Sequence, residues 1–545
     1  MIAWIREQLV GHSAMIETPF GPRRLTYADY VASGRPLEYI ETLLREQVMP
    51  FYANTHTEDS FTGRHTTHCA HDAATYIKRC LGADDRFKIV FAGSGSTGAI
   101  KRLQEILGMS VPSCLRERLL GVLRPDERPV VFVGPYEHHS NEVSWRETIA
   151  EVVEIPLSPE GLINLAVLEQ ALQEPRFAGR PMIGSFSAAS NVTGILSDTR
   201  AIARLLHAHG AWACFDFAAS APYVTIDMRP GEPDGYDAVF ISPHKFIGGP
   251  GTPGILVFNS AMYRLNAPST AGGGTVLYVS PTTHHFVNDI EAREDAGTPA
   301  ILQKVRAGLV FWIKEQVGVE TIEGCERSLI TRAVARLRQH PRLELLGNLD
   351  VPRLAILSFL IRSGDDYLHP RFVVRLLNDL FGIQARGGCA CAGPYGHALL
   401  HIDSQRSTRY WESIQAGFEG VKPGWTRVNF NYFLSDVEFA FLLQAIEFVA
   451  DYGERFLSLY DFDWHTGTWS HPADPPLPAL FEQPLRACQP LVAEPALPGD
   501  DELAAIYQRY LDEARELASV LPSGADRPAR DVPADVAPDL VFFRH

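Results

Sequence analysis

From about residue 51 to residue 310, short apolar runs alternate with segments in which apolar residues recur every three to four positions. The short runs predict buried strands and the periodic segments predict amphipathic helices. The predicted strands are 87–91, 130–133, 152–155, 182–186, 211–215, 238–241 and 254–258. The predicted helices are 66–81, 97–108, 165–173, 198–209 and 299–316. This alternation predicts βαβ units and an α/β fold whose sheet is mainly parallel.

The pattern changes on either side of this region. Residues 1–50 predict an N-terminal helical segment, and residues 51–315 form the predicted large domain. Helices interleave with strands such as 353–361 and 426–431 in residues 316–455, which predicts a smaller α+β domain. The Pro-rich extension 456–545 contains one predicted helix, at 500–518, and its tail from residue 521 is predicted to be flexible.

Composition narrows the function classes. The chain has 46% hydrophobic and 21% charged residues, which is typical of a globular protein. Its net charge of −16 disfavours nucleic acid and anionic membranes as partners. No apolar run approaches the length of a membrane span, and the first residues lack the order of a signal peptide. Eight scattered cysteines suit free thiols in the cytoplasm.

Two predicted strand ends carry an acid and a lysine. The run 212–215 ends at Asp216, and the run 238–241 is followed by Ser242-Pro243-His244-Lys245. A lysine amine forms a Schiff base with the aldehyde of pyridoxal phosphate (PLP), and a carboxylate keeps the pyridine nitrogen of PLP protonated. On these residues alone, a surface lysine after a buried strand and a helix-capping aspartate are the favoured explanation, and the rest of the chain changes this balance.

Other strand ends carry polar residues too. Gly93-Ser94-Gly95-Ser96-Thr97-Gly98 precedes a predicted helix, where free amides and hydroxyls suit a phosphate, although such turns are often only turns. The sequence Glu137-His138-His139-Ser140-Asn141 offers an imidazole to stack on a ring, or a solvated turn. Residues 187–194 place Asn191 as a hydrogen-bond donor, and residues 271–275 form a Gly-rich loop that ends in Thr275.

The order of these segments resembles the class V aminotransferase family of fold-type I PLP enzymes, in particular its cysteine desulfurase and selenocysteine lyase branch. There is some likeness to molybdenum cofactor sulfurases. The resemblance covers about residues 25 to 450. It implies a large domain with a mainly parallel seven-stranded sheet between helices, a smaller α+β domain and PLP as the cofactor.

The resemblance also implies roles for residues around the PLP ring. Lys245 would be the Schiff-base lysine, and Asp216 would pair with the pyridinium nitrogen. His138 would stack on the ring and take part in catalysis. Asn191 would lie near both cofactor and substrate, and Arg427 would clamp the carboxylate of the amino acid substrate through its guanidinium fork.

The phosphate group would be held by four residues of the same subunit, which are Ser96, Thr97, Ser242 and His244. Thr275 would reach the phosphate of the neighbouring subunit's cofactor, so a homodimer with shared active sites is expected. One departure from the family is Ala219, which stands where the family commonly has a glutamine that bonds the ring hydroxyl.

The sequence Arg386-Gly387-Gly388-Cys389-Ala390-Cys391-Ala392 resembles the desulfurase loop Arg-x-Gly-x-x-Cys-Ala. The resemblance places Cys391 at the nucleophile position, where its thiolate would take sulfur as a persulfide, and Arg386 beside the thiol and the substrate. From the residues alone, Cys389 and Cys391 are also compatible with a metal pair, a redox pair or two inert thiols.

A second group of candidate ligands, His56, His65, His68, Cys69 and His71, does not have the spacing of a zinc site, and no metal is expected. His56 is expected near the PLP pocket instead. The predicted function is PLP-dependent removal of sulfur or selenium from cysteine or selenocysteine, giving alanine, with a possible sulfur-acceptor protein. The alternatives are a β-lyase or aminotransferase acting on another amino acid, or a non-catalytic scaffold.

Overall fold

The computed structural model describes residues 1–55, 57–476, 497–522 and 532–544. His56 and parts of the Pro-rich segment and tail therefore lie outside the described residues. The chain divides into two compact units. The large unit contains Tyr30–Gly324 and Asp350–Leu354, and the small unit contains Ile2–Asp29, Cys325–Leu349 and the described residues from Ala355 onwards.

The strands, in chain order, are β1 Met15–Ile16, β2 Arg23–Arg24, β3 Thr26–Tyr27, β4 Phe87–Ala92, β5 Val130–Val133, β6 Glu151–Glu154, β7 Met182–Ser187, β8 Trp212–Asp216, β9 Ala238–Ile241, β10 Gly254–Asn259, β11 Val276–Val279, β12 His284–Phe286, β13 Leu343–Leu345, β14 Ile356–Ser363, β15 Asp366–Leu368, β16 Ile383–Gln384, β17 Arg386–Gly388, β18 Trp425–Asn429, β19 Asp461–Asp463, β20 Thr468–Ser470 and β21 Phe543–Arg544.

The α-helices are α1 Ile2–Gln8, α2 Glu38–Leu43, α3 Phe61–Cys80, α4 Gly95–Ile106, α5 Ser113–Leu120, α6 His139–Arg146, α7 Leu165–Leu172, α8 Thr199–Ala208, α9 Ile290–Arg293, α10 Ile301–Val317, α11 Val319–Leu337, α12 Pro370–Phe381, α13 Gly393–Leu399, α14 Ser404–Gln415, α15 Asp436–Tyr452 and α16 Asp500–Val520.

The large unit contains the seven-stranded sheet that the sequence predicts, in the order β4-β10-β9-β8-β7-β5-β6. The pairs within β6-β5-β7-β8-β9 are parallel, and β10 runs antiparallel between β4 and β9. Each predicted strand of this sheet is confirmed to within one residue at either end. The α/β fold class is therefore confirmed.

Central strands of this sheet are apolar throughout because both of their faces are covered. Every residue of β5 and β9 is buried, as expected for parallel strands between helices. Helix α4 packs on one face through Ile100 and Leu103, which belong to a cluster with Val131 and Phe240. Helix α3 begins at Phe61 rather than at the predicted residue 66, because Ser60 caps it by accepting a hydrogen bond from the Gly63 amide at 3.2 Å.

The small unit is built around a sheet in the order β17-β18-β14-β15-β21, with β13 alongside β14. Helices α12 and α15 contribute many of the buried apolar side chains of its core, together with α11, α16 and the strands of the sheet. Residues 2–29 belong to this unit, so the N-terminal 50 residues are shared between the two units instead of forming a segment of their own. Strand β3 pairs with β16, and the Asn429 amide donates to Ala28 O at 3.0 Å.

The C-terminal extension completes the core of the small unit. Helix α16 buries Leu503, Tyr507 and Leu511. The tail composition predicts flexibility, but β21 pairs with β15, and Val536 and Leu540 are buried against Tyr410. These apolar contacts offset the entropy of ordering a Pro- and Asp-rich segment. Among the described residues, no helix is long and apolar enough to cross a bilayer.

Candidate active site

In the large unit, β8 and β9 bring the predicted acid and lysine to one edge of the sheet. Asp216 ends β8 and lies opposite Phe240 of the parallel strand β9, so the carboxyl ends of both strands point the same way. Lys245 follows β9 in a single 3-10 turn, in which its amide donates to Ser242 O at 3.0 Å. The site therefore lies outside the carboxyl ends of the strands, the usual location in open α/β sheets.

Asp216 and Lys245 are within electrostatic range of each other. Burial raises the pKa of the Asp216 carboxyl, while the Ala218 amide, which donates to Asp216 Oδ1 at 2.8 Å, and the Lys245 charge lower it. Burial and the Lys245 charge also lower the pKa of His244 to about 4. His244 is therefore neutral at pH 7 and can accept a hydrogen bond at one ring nitrogen.

The start of helix α4 forms a cradle beside these groups. Gly95 has φ +57°, and a Cβ added to it would lie 2.7 Å from His244 Cε1 and 2.8 Å from Ser242 Oγ. The Ser96 amide donates to Ser242 Oγ at 2.8 Å, and the Ser242 hydroxyl donates to Ser96 Oγ at 3.1 Å. A helix N-terminus lined by hydroxyls suits a phosphate.

Thr97, in the first turn of α4, and His138, at the start of α6, lie near a hydrogen bond that joins the two helix starts. Thr97 Oγ1 lies 2.6 Å from Ser140 Oγ, so one of these hydroxyls donates to the other. His138 is the N-cap of α6, where its Nδ1 accepts from the Ser140 amide at 3.1 Å. Since Nδ1 accepts, a proton on the neutral ring belongs on Nε2. This cap fixes the orientation of the imidazole.

Asn191 and Thr275 are both buried in the large unit. Asn191 lies in the loop that follows β7. Thr275 Oγ1 donates to Gly272 O at 2.7 Å and accepts from the Gly272 amide at 3.3 Å, so its side chain closes its own Gly-rich loop. The role of Thr275 toward a neighbouring subunit stays a prediction.

The residues at this edge fit PLP by their chemistry. A buried carboxylate, a lysine that interacts with it, and a glycine cradle that a Cβ would fill are the three features that the cofactor needs. Ala219 is buried and offers no side-chain hydrogen bond. The next residue, Ser220, has a buried hydroxyl for which the described part of the chain provides no hydrogen-bond partner.

The sequence interpretation missed a role for Glu137. Its buried carboxylate accepts four hydrogen bonds, from the Gly134 amide at 3.1 Å, the Ser187 amide at 2.9 Å, the Ser187 hydroxyl at 2.6 Å and Asn141 Nδ2 at 2.7 Å. Burial raises the pKa of Glu137 to about 7 against these hydrogen bonds, and Asp216 adds to the rise. Glu137 thus ties the loop that carries His138 to the end of β7. The signal for this role in the sequence is an acidic residue directly before His138.

In the small unit, Arg386 and Arg427 face each other on the paired strands β17 and β18. Asp29 accepts from both arginines, at Oδ2 from Arg386 Nε at 3.0 Å and at Oδ1 from Arg427 Nη2 at 2.9 Å. The Arg427 side chain is 4% exposed, whereas the Arg386 side chain is 48% exposed. Sequence analysis did not single out Asp29, because its partners are distant in the chain.

Cys391 is exposed on a tight turn of the same unit. Ala390 and Cys391 have φ values of 48° and 56°, and the Ala392 amide donates to Cys389 O at 3.2 Å. Two consecutive non-glycine residues in the left-handed region store strain, which clusters at functional sites. Burial lowers the pKa of Arg427, and the charges of Asp29 and Cys391 oppose this shift. Cys391 therefore lies within electrostatic range of Arg427.

Comparisons with known proteins identify the family of the chain. The sequence pattern of the class V aminotransferase family (Aminotransferase class-V) matches residues 26–410. A probable cysteine desulfurase of Halalkalibacterium halodurans is 28% identical over 405 residues, which cover 73% of this chain and 92% of that protein. A probable cysteine desulfurase of Streptomyces coelicolor is 25% identical over 422 residues, which cover 75% of this chain and 93% of that protein.

Solved structures share the fold. The apo cysteine desulfurase of Thermococcus onnurineus NA1 matches with a TM-score of 0.64 and 20% identity, over 82% of this chain and 97% of that one. The cysteine desulfurase CsdA of Escherichia coli, in its S-sulfonic acid form, matches with a TM-score of 0.62 and 22% identity, over 82% of this chain and 98% of that one. The chain belongs to the class V aminotransferase family, whose members are PLP-dependent enzymes. Among the described residues, no group of three His, Cys, Asp or Glu side chains could hold a metal ion.

Proposed function

We propose that this protein is a cysteine desulfurase-like enzyme, which removes sulfur or selenium from L-cysteine or L-selenocysteine and produces alanine. The observation that carries the proposal is the exposed Cys391 thiol, presented on a strained turn within electrostatic range of Arg427. The names of the similar proteins from H. halodurans and S. coelicolor support the same chemistry.

The large unit would hold the cofactor. Lys245 would carry it through its amine, Asp216 would face the ring nitrogen, and His138 would lie on the ring. The phosphate would be bound by Ser96, Thr97, Ser242 and His244. When bound, PLP supplies an electron sink for the carbanion chemistry at the substrate Cα.

Two side chains, Lys245 and Cys391, would carry out the proton transfer and the sulfur transfer. The Lys245 amine would move the proton at the substrate Cα, which is general acid–base catalysis by a positioned side chain. The Cys391 thiolate would form a bond to the substrate sulfur while the Cβ–sulfur bond breaks. Cysteine and the Cys391 thiol thus become alanine and the Cys391 persulfide, with no other reactant.

Arg427 would bind the carboxylate of the substrate, and Asn191 and Arg386 would make further contacts with the substrate. Arg427 is held in place because Asp29 binds its Nη2, and a guanidinium has further N–H groups arranged for a carboxylate. Asp29 also limits the net positive charge of the arginine pair. The substrate carboxylate would therefore meet a preorganised cation, which lowers the cost of binding.

We also propose a homodimer in which Thr275 reaches the cofactor of the partner. The hairpin β11–β12 that follows Thr275 exposes Leu277, Tyr278 and Val279, an apolar surface that suits a subunit contact. Seven described cysteines are free, which suits the cytoplasm. A sulfur-acceptor protein would receive the persulfide.

The first experiment is an absorbance spectrum of the purified protein and of Lys245→Ala, followed by addition of L-cysteine or L-selenocysteine. We expect a visible band in the wild type that Lys245→Ala lacks, and alanine released one for one with sulfide. Pyruvate and ammonia in place of alanine would identify a β-lyase, an alternative that the absence of a hydrogen-bonding side chain at Ala219 keeps open. A wild type that binds no PLP would support the scaffold alternative.

Two cysteine variants test the nucleophile. Cys391→Ser should bind PLP normally and lose sulfide release, because the thiol that accepts sulfur is gone. Cys114→Ser is the matched control, since Cys114 is also exposed but lies in α5 of the large unit. Undiminished sulfide release by Cys391→Ser would remove this thiol from the mechanism.

A further inference from the structure

Cys389 lies two residues before the proposed nucleophile, on the same turn, and is also exposed. Of the seven described cysteines, only Cys114, Cys389 and Cys391 are exposed. Cys389 and Cys391 are thus neighbouring accessible thiols. The desulfurase reaction proposed above uses only Cys391 and gives Cys389 no role.

The geometry of the turn keeps the two thiols close. Two residues span at most about 7 Å of fully extended chain, and a turn shortens this span. The Ala392 amide donates to Cys389 O at 3.2 Å, which closes the turn around Ala390 and Cys391. The separation of the Cα atoms therefore falls in the range of about 4.4–6.8 Å in which disulfides form.

Backbone conformation distinguishes this turn from an ordinary Cys-x-Cys stretch. Ala390 and Cys391 both have positive φ, although neither is a glycine. A turn of this type reverses the chain direction, so the backbone positions of Cys389 and Cys391 lie closer together than two residues of an extended strand would place them. Both cysteines are exposed to solvent, so both are accessible to thiol–disulfide exchange.

We propose that Cys389 is the resolving thiol for the Cys391 persulfide, an inference that rests on the proposed function. The Cys389 thiolate attacks Cys391 Sγ, and a Cys389–Cys391 disulfide forms. The bond between Cys391 Sγ and the outer sulfur breaks, and that sulfur leaves with the electron pair as hydrosulfide. The outer sulfur is reduced to the sulfide level, the Cys389 sulfur is oxidised from thiol to disulfide, and Cys391 Sγ, already bonded to sulfur in the persulfide, keeps its oxidation level. Low-molecular-weight thiols, taken up from solution, reduce the disulfide and return both cysteines to the starting state.

This assignment gives the enzyme a way to release sulfide without an acceptor protein. An intramolecular thiol has a large effective concentration compared with thiols in solution. The released product would be hydrosulfide and the protein would stop after one turnover until a thiol reduces it. A desulfurase with one cysteine in this loop would instead hold its persulfide until another molecule collects it.

The test is a single turnover of the PLP-loaded enzyme with one equivalent of L-cysteine, without oxygen or added thiol. We expect one alanine and one sulfide per site from the wild type, and a protein lighter by the mass of two hydrogens. Cys389→Ser should form the same alanine but release sulfide at least about tenfold more slowly, since the intramolecular thiol is absent. Its tryptic peptide 387–406 should be heavier by one sulfur atom. Cys114→Ser should behave as the wild type.

The outcomes separate the two proposals. Absence of alanine in the wild type and in both variants would refute the desulfurase proposal itself. Alanine with a stable persulfide on wild-type Cys391 would refute the resolving role of Cys389 alone. A second measurement does not depend on turnover, since mild oxidation by diamide should remove two hydrogens from wild-type peptide 387–406. Failure to form that disulfide would overturn the inference.

Discussion

Arg427 Nη2 donates to Asp29 Oδ1 at 2.9 Å, and both side chains are buried in the small unit. A buried guanidinium needs a compensating charge, because leaving it unpaired in a poorly solvated site is costly. Asp29 provides that charge and also accepts from Arg386, which lies opposite Arg427 across the strand pair. The position of one aspartate thus sets the geometry of both arginines.

Removal of this aspartate should destabilise the small unit. We expect Asp29→Ala to lower the free energy of unfolding by about 3–5 kcal/mol, because Arg427 remains buried without its partner. Arg386→Ala, which removes the half-exposed arginine of the same pair, should cost only about 0–1 kcal/mol. Urea unfolding monitored by fluorescence measures both, and similar losses for the two variants would contradict the assignment.

A methyl group at Gly95 should disturb the phosphate cradle. Gly95→Ala places a Cβ 2.7 Å from His244 Cε1 and 2.8 Å from Ser242 Oγ, so these side chains must move. We expect affinity for PLP to fall by tenfold or more, or by at least about 1.4 kcal/mol, because two of the proposed phosphate-binding residues are displaced. Titration of the apo protein with PLP provides the measurement.

Gly108→Ala is the matched control for this variant. Gly108 follows the other end of α4, has φ +68° and has no atom within 4 Å of an added Cβ. Both substitutions place an alanine in the left-handed region, which costs about 1–2 kcal/mol at each position, so only the crowding at Gly95 distinguishes them. Equal affinities for PLP in the two variants would show that the cradle does not hold the phosphate.

The buried acid Glu326 should make stability depend on pH. Burial raises its pKa to about 8, and its Oε2 accepts from the Ala355 amide at 3.3 Å. An acid whose pKa is higher in the folded state costs stability as the pH rises from its ordinary value toward pH 8, by at most about 1.4 kcal/mol per pH unit. Below that range the folded and unfolded states both hold the proton, and no cost remains.

Substitution of Glu326 by glutamine tests whether stability falls as the pH rises. Glu326→Gln cannot ionise, so its melting temperature should exceed that of the wild type at pH 8, and the difference should shrink toward pH 5. Glu320→Gln removes a charge from an exposed position of the same helix, α11, and serves as the control. A difference that grows as the pH falls would contradict the raised pKa.

Tyr507 should anchor the C-terminal helix to the small unit. Its ring stacks on Phe441 with centroids 3.8 Å apart, and its hydroxyl lies 3.1 Å from Thr26 Oγ1. We expect Tyr507→Phe to cost about 1 kcal/mol through the lost hydrogen bond. Tyr507→Ala should cost about 3–5 kcal/mol, because it also leaves a cavity.

Denaturant unfolding measures whether Tyr507→Ala lowers the free energy of unfolding more than Tyr507→Phe does. Val520→Ala at the end of α16 is the control, since Val520 is 76% exposed and its truncation should change stability by no more than about 0.5 kcal/mol. Equal effects of Tyr507→Ala and Val520→Ala would show that α16 contributes no stability through this contact.

The sequence by itself determined the α/β fold, the strand order along the chain and the placement of Asp216 and Lys245 at strand ends. Those features depend on local pattern, because a short continuous apolar run rich in β-branched residues, such as 130–133, favours a buried strand. Family resemblance added the roles of individual residues, which the experiments above test.

Tertiary structure alone decided which distant groups meet. Asp29 and Arg427 are 398 residues apart, and the hydrogen bonds of Glu137 join a loop to a strand 50 residues later. The tail 532–544 packs through β21 despite a composition typical of flexible chain. Such pairings depend on packing, burial and strand register in three dimensions, and neither periodicity nor composition along the chain encodes them directly.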